Sequence, residues 1–414
     1  MRQLFLILWL ACSVVGYAQK AETKLYKETI KTVQLHPNGQ EQGFPVLYLN
    51  RGGTLQLSFD DLSEDVSTYS YTFVHCDANW QKSDLFPSDY LDGFPENPID
   101  DYDYSFNTTT PYIHYHLEFP NTNVRFFYPG NYLLKVFENY DQEQLVFTKR
   151  FVVVEKLTSN HLKVDKQGGI ALMGNQHRLE LETRLDASWL DPSRIRVVLL
   201  KNQNWQQQVV VEQPDQYAGN KLVYSNSNTM VFKAGNEFRA FNTKSVQYPD
   251  VRTQQLSFID QTYQFLLTPD RDRTYKDYIY HEDLNGSYHV DTEISEDDAL
   301  EADYVRVYFS VPMNAPVKGD SLFIVGAMNH WKMNSKSLLR YNYTDKAYQV
   351  SLLLKQGYYN YQYVLKRVEG GYDFQFLSGN FSATENNYTA ILYYHDQRDG
   401  FDRVIGFTEM KSSN

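Results

Sequence analysis

The sequence predicts an all-β protein made of three consecutive β-sandwiches of the immunoglobulin-like kind. The chain has 414 residues, which is too long for one ordinary core and suggests about three units. It contains 34 Tyr and 25 Phe against 5 Trp, and Tyr and Phe favour strands. Apolar and polar residues alternate along most of the chain without long helical stripes. Many short strands separated by turn signals are typical of sandwiches.

The alternation is clearest in two segments. Leu55, Leu57 and Phe59 are separated by polar residues, and residues 113–119 alternate apolar side chains with two histidines and a glutamate. Because successive strand residues face opposite sides of a sheet, each segment should have one apolar and one polar face. Residues 77–110 lack this pattern and predict a long loop, which its many aromatic residues should keep ordered.

Residues 1–18 resemble a secretory signal peptide. Arg2 supplies the positive charge, residues 4–11 are apolar, and small residues precede a cut expected after Ala18. The apolar run is shorter than the roughly 20 residues that a membrane-spanning helix requires. We therefore expect the mature chain to be a soluble periplasmic protein without direct membrane insertion.

The two cysteines bear on anchoring and stability. Cys12 follows Leu10 and Ala11, so lipidation at Cys12 remains an alternative to simple cleavage. If Cys12 leaves with the signal peptide, Cys76 has no partner for an internal disulfide, and packed cores must supply stability. The net charge of −12 disfavours binding to nucleic acid, whose phosphates it would repel.

Two segments predict domain boundaries. The apolar residues 151–154 end a unit and the polar residues 156–160 follow as a linker, while the acidic residues 293–298 precede a fresh strand. Charged, polar segments are common between domains. We therefore expect sandwiches over residues 19–157, 158–295 and 296–412.

No group of residues predicts catalysis, a cofactor or a metal. His114 and His116 share one strand face at a spacing that could bind Zn or Cu, but they alternate with apolar residues as an ordinary polar face does. Acidic pairs such as Asp60-Asp61 are expected to support turns rather than a hydrolytic site. The sequence contains no nucleophile elbow, P-loop or dinucleotide fingerprint.

The third expected sandwich contains two segments that resemble glycan-binding early-set modules. These are residues 322–331, which end in Asn329-His-Trp331, and residues 354–363 with their Gly-x-Tyr-x-Tyr pattern. Such modules bind glucans through pairs of exposed Trp residues, and this region contains only Trp331. The resemblance leaves a periplasmic carbohydrate-binding or glycan-processing protein as the alternative function.

A second resemblance covers most of the mature chain. His75-Cys-Asp-Ala-Asn-Trp80, Gly235-Asn-Glu-Phe-Arg239 and Thr384-Glu-Asn-Asn-Tyr388 resemble, in this order, signatures of the type IX secretion system plug proteins of Bacteroidota. The resemblance implies a monomeric periplasmic protein that is not an enzyme. It implies binding to the giant outer-membrane translocon barrel of that system, whose periplasmic mouth it would seal when no cargo is present.

The loop of the first sandwich supplies the candidate partner-binding residues. Aromatic anchors surrounded by polar groups suit protein interfaces. For Trp80 and Phe94 the alternative is that they cover the core of their own domain. The candidates are the aromatic residues Trp80, Phe86, Tyr90 and Phe94 and the acidic residues Asp100 and Asp101.

Overall fold

The structure is a computed structural model that describes residues 20–63, 65–166, 175–226, 228–293 and 297–412. Strands make up 50% of it and helices 4%, which confirms the predicted all-β class. The expected signal peptide and Cys12 lie outside the described residues. Among the helices of the described part, none is long and apolar enough to cross a membrane.

The first sandwich packs two sheets and a short ribbon around one core. Its elements are β1 (Lys24–Leu25), β2 (Ile30–Pro37), β3 (Val46–Tyr48), β4 (Leu55–Asp61), β5 (Tyr69–Cys76), α1 (Pro87–Tyr90), β6 (Leu91–Gly93), β7 (Asn97–Ile99), β8 (Tyr102–Tyr104), β9 (Ile113–Phe119), β10 (Val124–Phe126), β11 (Gly130–Glu138) and β12 (Leu145–Val154). One sheet has the order β1-β12-β11-β5-β7 with β3 beside β12, the other has the order β2-β4-β9-β8, and β6 pairs with β10. The expected loop at residues 77–110 thus contains one helical turn and three short strands.

The predicted alternation holds in β9 and fails at two points in β4. In β9 the apolar residues are buried, His114 and His116 are half-buried and Glu118 is exposed. In β4 the polar-face residues Ser58 and Asp60 are both buried, and side chains of the third sandwich contact Asp60.

The second sandwich begins where a linker was expected. Its first strands are β13 (Thr158–Asp165), β14 (Gln176–Leu185), β15 (Ile195–Lys201), β16 (Asn204–Val211), β17 (Gln216–Ala218), β18 (Lys221–Tyr224) and β19 (Val231–Lys233), with a 3-10 turn at Pro192–Arg194. Residues 158–160 of the expected linker therefore belong to β13, which pairs with β14.

The third sandwich follows in the chain, but the last two strands of the chain do not belong to it. Its elements are β20 (Arg239–Asn242), β21 (Thr253–Ile259), β22 (Thr262–Leu267), β23 (Tyr288–Val290), α2 (Asp298–Glu301), β24 (Tyr304–Pro312), β25 (Ser321–Val325), a 3-10 turn at Ala327–Asn329, β26 (Arg340–Asn342), β27 (Ala347–Lys355), β28 (Gly357–Lys366) and β29 (Tyr372–Asp373). The chain ends in β30 (Asn387–Asp396) and β31 (Phe401–Lys411).

The expected boundary between the second and third sandwiches is wrong. Strand β30 pairs with β15, and β31 pairs with β30, so the end of the chain completes the second sandwich. Leu392 and Ile405 lie in its core. Strand β23, before the acidic segment, pairs with β28, after it. The acidic segment, of which residues 294–296 lie outside the described residues, therefore does not separate two domains.

The apolar residues 151–154 face two different cores. Phe151 and Val153 point into the first sandwich. Val152 and Val154 point the other way, into an apolar cluster that contains Val198 of the second sandwich. Both faces of β12 are buried, which explains why this segment of the sequence is apolar without alternation.

A buried polar cluster joins the first sandwich to the third. The Asp60 carboxylate accepts hydrogen bonds from Lys355 Nζ (2.7 Å) and the Tyr304 hydroxyl (2.6 Å), and His114 Nδ1 lies 2.6 Å from its other oxygen. Burial alone would raise the pKa of the Asp60 carboxyl, but Lys355 and His114 outweigh burial and hold that pKa below its ordinary value. The carboxylate is therefore charged and fully partnered at the interface.

We expect Asp60→Asn to lower the free energy of unfolding by about 3–5 kcal/mol, since it leaves the Lys355 ammonium buried without a counter-charge. Because the pKa of the folded carboxyl lies below the unfolded value of about 4, this contribution is present above that value and is lost as the pH falls through the folded pKa. Urea unfolding at neutral and acidic pH measures both effects. Glu143→Gln, at an exposed carboxylate, is the control and should change stability by less than about 0.5 kcal/mol. A similarly small effect of Asp60→Asn would contradict the expectation.

Candidate partner surface

Trp80 does not face a partner, which corrects one sequence prediction. Its side chain is 1% exposed and meets the ring of Trp205, from the second sandwich, edge-on at 5.0 Å. The Arg150 guanidinium stacks over the Trp80 ring at 4.3 Å. The Trp80 carbonyl also accepts a hydrogen bond from the Ala21 backbone N–H (2.8 Å). Trp80 thus packs between two sandwiches. This role is close to the alternative expectation that Trp80 covers the core of its own domain.

Tyr90 is also buried, which removes a second candidate. It is 2% exposed, and its hydroxyl donates to the Phe73 carbonyl (3.0 Å). The ring packs near His75 and Tyr132, and burial raises the pKa of the hydroxyl to about 12. Tyr90 holds α1 against the first core and is not available to a partner.

Phe86 and Phe94 do lie on the surface, with 73% and 72% of each residue exposed. Their backbones are nevertheless fixed. The Asp89 carboxylate accepts from the Phe86 backbone N–H (2.8 Å), and the Phe94 backbone N–H donates to the Asn123 carbonyl (3.2 Å). Two rigidly placed aromatic side chains are thus directed away from the core into solvent.

Gly93 makes this arrangement possible. Its φ of +107° lies in the region that favours glycine, and a Cβ there would come within 2.0 Å of the Asn123 carbonyl oxygen. The close approach lets β6 pair with β10 directly before Phe94.

The sequence analysis missed a third exposed phenylalanine, Phe127. It directly follows β10, is 52% exposed and donates its backbone N–H to the Tyr90 carbonyl (2.9 Å). A local signal existed: Phe126 and Phe127 are adjacent in an extended segment, so both cannot face the core. Phe86 directly precedes α1, Phe94 directly follows β6 and Phe127 directly follows β10. We call these three exposed residues the phenylalanine surface.

Asp100 and Asp101 occupy a different place. Both are exposed, and they form the corner where the chain passes from β7 in one sheet to β8 in the other. The Asp101 carbonyl accepts from the backbone N–H of His116 (3.1 Å). The acidic neighbours of the phenylalanine surface along the chain are instead Asp84 and Asp92, which are exposed.

Comparison with known families assigns the domain that carries this surface. Residues 30–155 match the family model for the "Type 9 secretion system plug protein 1st domain". The first sandwich belongs to the type 9 secretion system plug family. This plug domain connects the chain with type IX secretion, and the family is one of secretion plug or accessory proteins rather than enzymes.

The whole arrangement recurs in a solved structure. The chain is similar to a hypothetical protein from Parabacteroides merdae, with a TM-score of 0.91 and 28% identity over 95% of this chain and 100% of that chain. An alkylpurine DNA glycosylase of Pseudomonas fluorescens also aligns, at 13% identity over 32% of this chain and 30% of its own, with a TM-score of 0.16. No curated protein matches the chain. The likeness to the Parabacteroides merdae protein extends beyond the plug domain to all three sandwiches.

The two segments outside the plug domain that resemble plug signatures meet each other where the second and third sandwiches join. The Gly235 carbonyl accepts from the Phe381 backbone N–H (2.7 Å) and from the Thr384 hydroxyl (2.9 Å). The backbone N–H of Gly235 donates to the Asn380 side chain (2.7 Å). Glu385 donates its backbone N–H to Glu237 (3.0 Å). These signatures therefore fix the junction through which the chain leaves and re-enters the second sandwich.

The turn that resembles glycan-binding modules offers no exposed platform. Trp331 is 8% exposed, and it packs edge-on against Phe238 at 5.9 Å. A Cβ on Gly286 would come within 2.4 Å of the Trp331 ring, so the ring lies directly against the backbone. A flat exposed ring, which sugar stacking requires, is thus missing at this turn.

We expect substitution of Trp80 to lower stability strongly and substitution of Phe94 to leave it almost unchanged. Trp80→Ala should cost about 3–5 kcal/mol of unfolding free energy because it leaves a cavity between two sandwiches. Phe94→Ser should change stability by less than about 0.5 kcal/mol, since its ring makes few internal contacts. Chemical denaturation of the two variants beside the unmodified protein measures this difference. Equal losses would show that Phe94 belongs to the core and would remove it from the surface.

Proposed function

We propose that this protein is a periplasmic plug that binds the periplasmic mouth of the type IX secretion translocon barrel and seals it while no cargo is present. The plug family of the first domain supports the connection with that secretion system. The observation that carries the proposal is the phenylalanine surface. Phe86, Phe94 and Phe127 expose half or more of their area on backbone that hydrogen bonds hold in place.

Burial of these rings against a partner would supply most of the affinity. Exposed aromatic side chains are the usual anchors of protein interfaces, and a polar rim excludes water around them. Here the rim consists of Asp84 and Asp92 with Arg125, all exposed. Because their backbone is already ordered, little backbone conformational freedom would be lost on binding.

The rest of the chain would act as a rigid body behind this surface. The Asp60 cluster and the junction at Gly235 connect the third sandwich to the other two. A stopper must resist deformation, since a flexible chain would leave gaps in the pore that it fills. This role requires no catalysis, no cofactor and only one copy of the chain, and it agrees with export to the periplasm through the expected signal peptide.

The mechanism predicts that the plug distinguishes two states of the translocon. Plug and cargo would compete for one aperture, and a ligand shifts an equilibrium only through different affinities for its two states. Purified translocon is prepared with and without trapped cargo and titrated with the mature protein at fixed salt. We expect markedly tighter binding to the empty form, and at least about tenfold weaker binding when Phe86 and Phe94 are both changed to Ala.

Tyr343→Ala is the matched control, because Tyr343 is 77% exposed on the third sandwich; binding should be unchanged. The double variant removes no core residue, so loss of binding with an unchanged denaturation midpoint assigns the effect to the surface. Equal affinity for empty and loaded translocon would overturn the sealing mechanism. Full affinity of the double variant would overturn the assigned surface.

A further inference from the structure

A cavity of about 340 Å³ lies where all three sandwiches meet. Lys149 of β12, Trp205 of β16 and His330 of the third sandwich contribute to its walls. The volume lies within the range of small-ligand sites. The lining of the cavity contains no residue of the phenylalanine surface, so what the cavity binds is a separate question from sealing.

Cations exceed anions in this cavity. The Lys332–Glu22 pair is formed at 2.5 Å and the Glu41 carboxylate is paired with His289 at 2.6 Å. Within the part of the chain that the structure describes, no carboxylate pairs with the remaining cations. The charged residues of the lining are Lys20, Lys149, Arg150 and Lys332, with Glu22 and Glu41.

Lys149 is poorly satisfied although it is not exposed. Among the residues that the structure describes, its ammonium has hydrogen-bond partners only in the Val33 carbonyl (3.4 Å) and His330 Nδ1 (3.5 Å), both at long distances. Burial lowers the pKa of the ammonium to about 8. Burial and the nearby charges of Lys149 and Lys332 hold the pKa of His330 well below its ordinary value, so His330 is a neutral acceptor and Lys149 carries the charge.

Three neighbours of Lys149 add positive charge or a hydrogen-bond donor to the cavity. Arg150 donates to the Ala21 carbonyl through Nε (2.8 Å) and stacks on Trp80, without a carboxylate partner among the described residues. Burial and the charge of Arg150 lower the pKa of Lys20. Asn204, which is 1% exposed, also lines the cavity, and its Nδ2 has no hydrogen-bond partner in the described chain.

We propose that this cavity binds a small oxyanion, a carboxylate or a phosphate, with Lys149 as its main ligand and Lys20 and Arg150 supplying further positive charge. The anion would compensate cations that the protein leaves unpaired, and charge-assisted hydrogen bonds to oxyanions are strong. Because the walls come from three sandwiches, its binding would favour the assembled state. Nothing in this inference depends on the sealing function.

Isothermal titration calorimetry of the full mature chain with inorganic phosphate, and separately with acetate, tests the site at constant ionic strength. We expect saturable binding of one anion per chain, with a rise in the unfolding temperature that sodium chloride at equal ionic strength does not produce. The two arms show which oxyanion is preferred. Absence of saturable binding by both anions would overturn the proposal.

Three variants locate the binding. Lys149→Met should weaken it by at least about tenfold, as loss of a charge-assisted hydrogen bond implies. Lys20→Gln changes an exposed residue and should weaken it less without unfolding the chain, so it serves even if Lys149→Met fails to fold. Lys318→Met, at an exposed lysine outside the cavity, is the control. The same affinity in Lys20→Gln and Lys149→Met as in the control would place the anion elsewhere and overturn the proposal.

Discussion

Asp60 is the residue on which the placement of the third sandwich against the first depends. A fully buried carboxylate is unfavourable unless cations and donors surround it. Two of its partners, Lys355 and Tyr304, come from the third sandwich, so the charge is satisfied only when the two sandwiches are in contact. The reverse arrangement occurs at Asp303 of the third sandwich. Its carboxylate accepts a hydrogen bond from the Thr109 backbone N–H (2.8 Å) of the first sandwich. Buried polar contacts of this kind allow only one relative orientation.

The other two junctions restrict motion by different means. Apolar packing through Val152 and Val154 joins the first and second sandwiches. The chain crosses between the second and third sandwiches twice, and the two crossings are bonded to each other, for example from Asn386 Nδ2 to the Ala234 carbonyl (2.9 Å). A double crossing resists hinge motion better than a single linker. The phenylalanine surface is therefore carried by a body that cannot easily bend away from a partner, as a plug requires.

Local alternation was sufficient to predict strands such as β9, because it reports the two faces of a sheet. It could not show which sheet a strand joins, and β30 completes a core that β13 began. Local composition also could not separate Trp80 from Phe94, since both are aromatic residues in one loop. Trp80 is buried by Trp205 and Arg150, which lie far away in the sequence. The fold class was therefore predictable, whereas the boundary and half of the aromatic candidates depended on long-range contacts.

Photocrosslinking inside the periplasm tests most directly whether the phenylalanine surface contacts the translocon. A photoreactive phenylalanine replaces Phe94 in one strain and Tyr343 in another, since both positions are exposed, at 72% and 77%. Irradiated cells are then analysed for a covalent product with the outer-membrane barrel. The proposed function predicts this product from position 94 and little or none from position 343. No barrel product from position 94, or equal products from both positions, would contradict it.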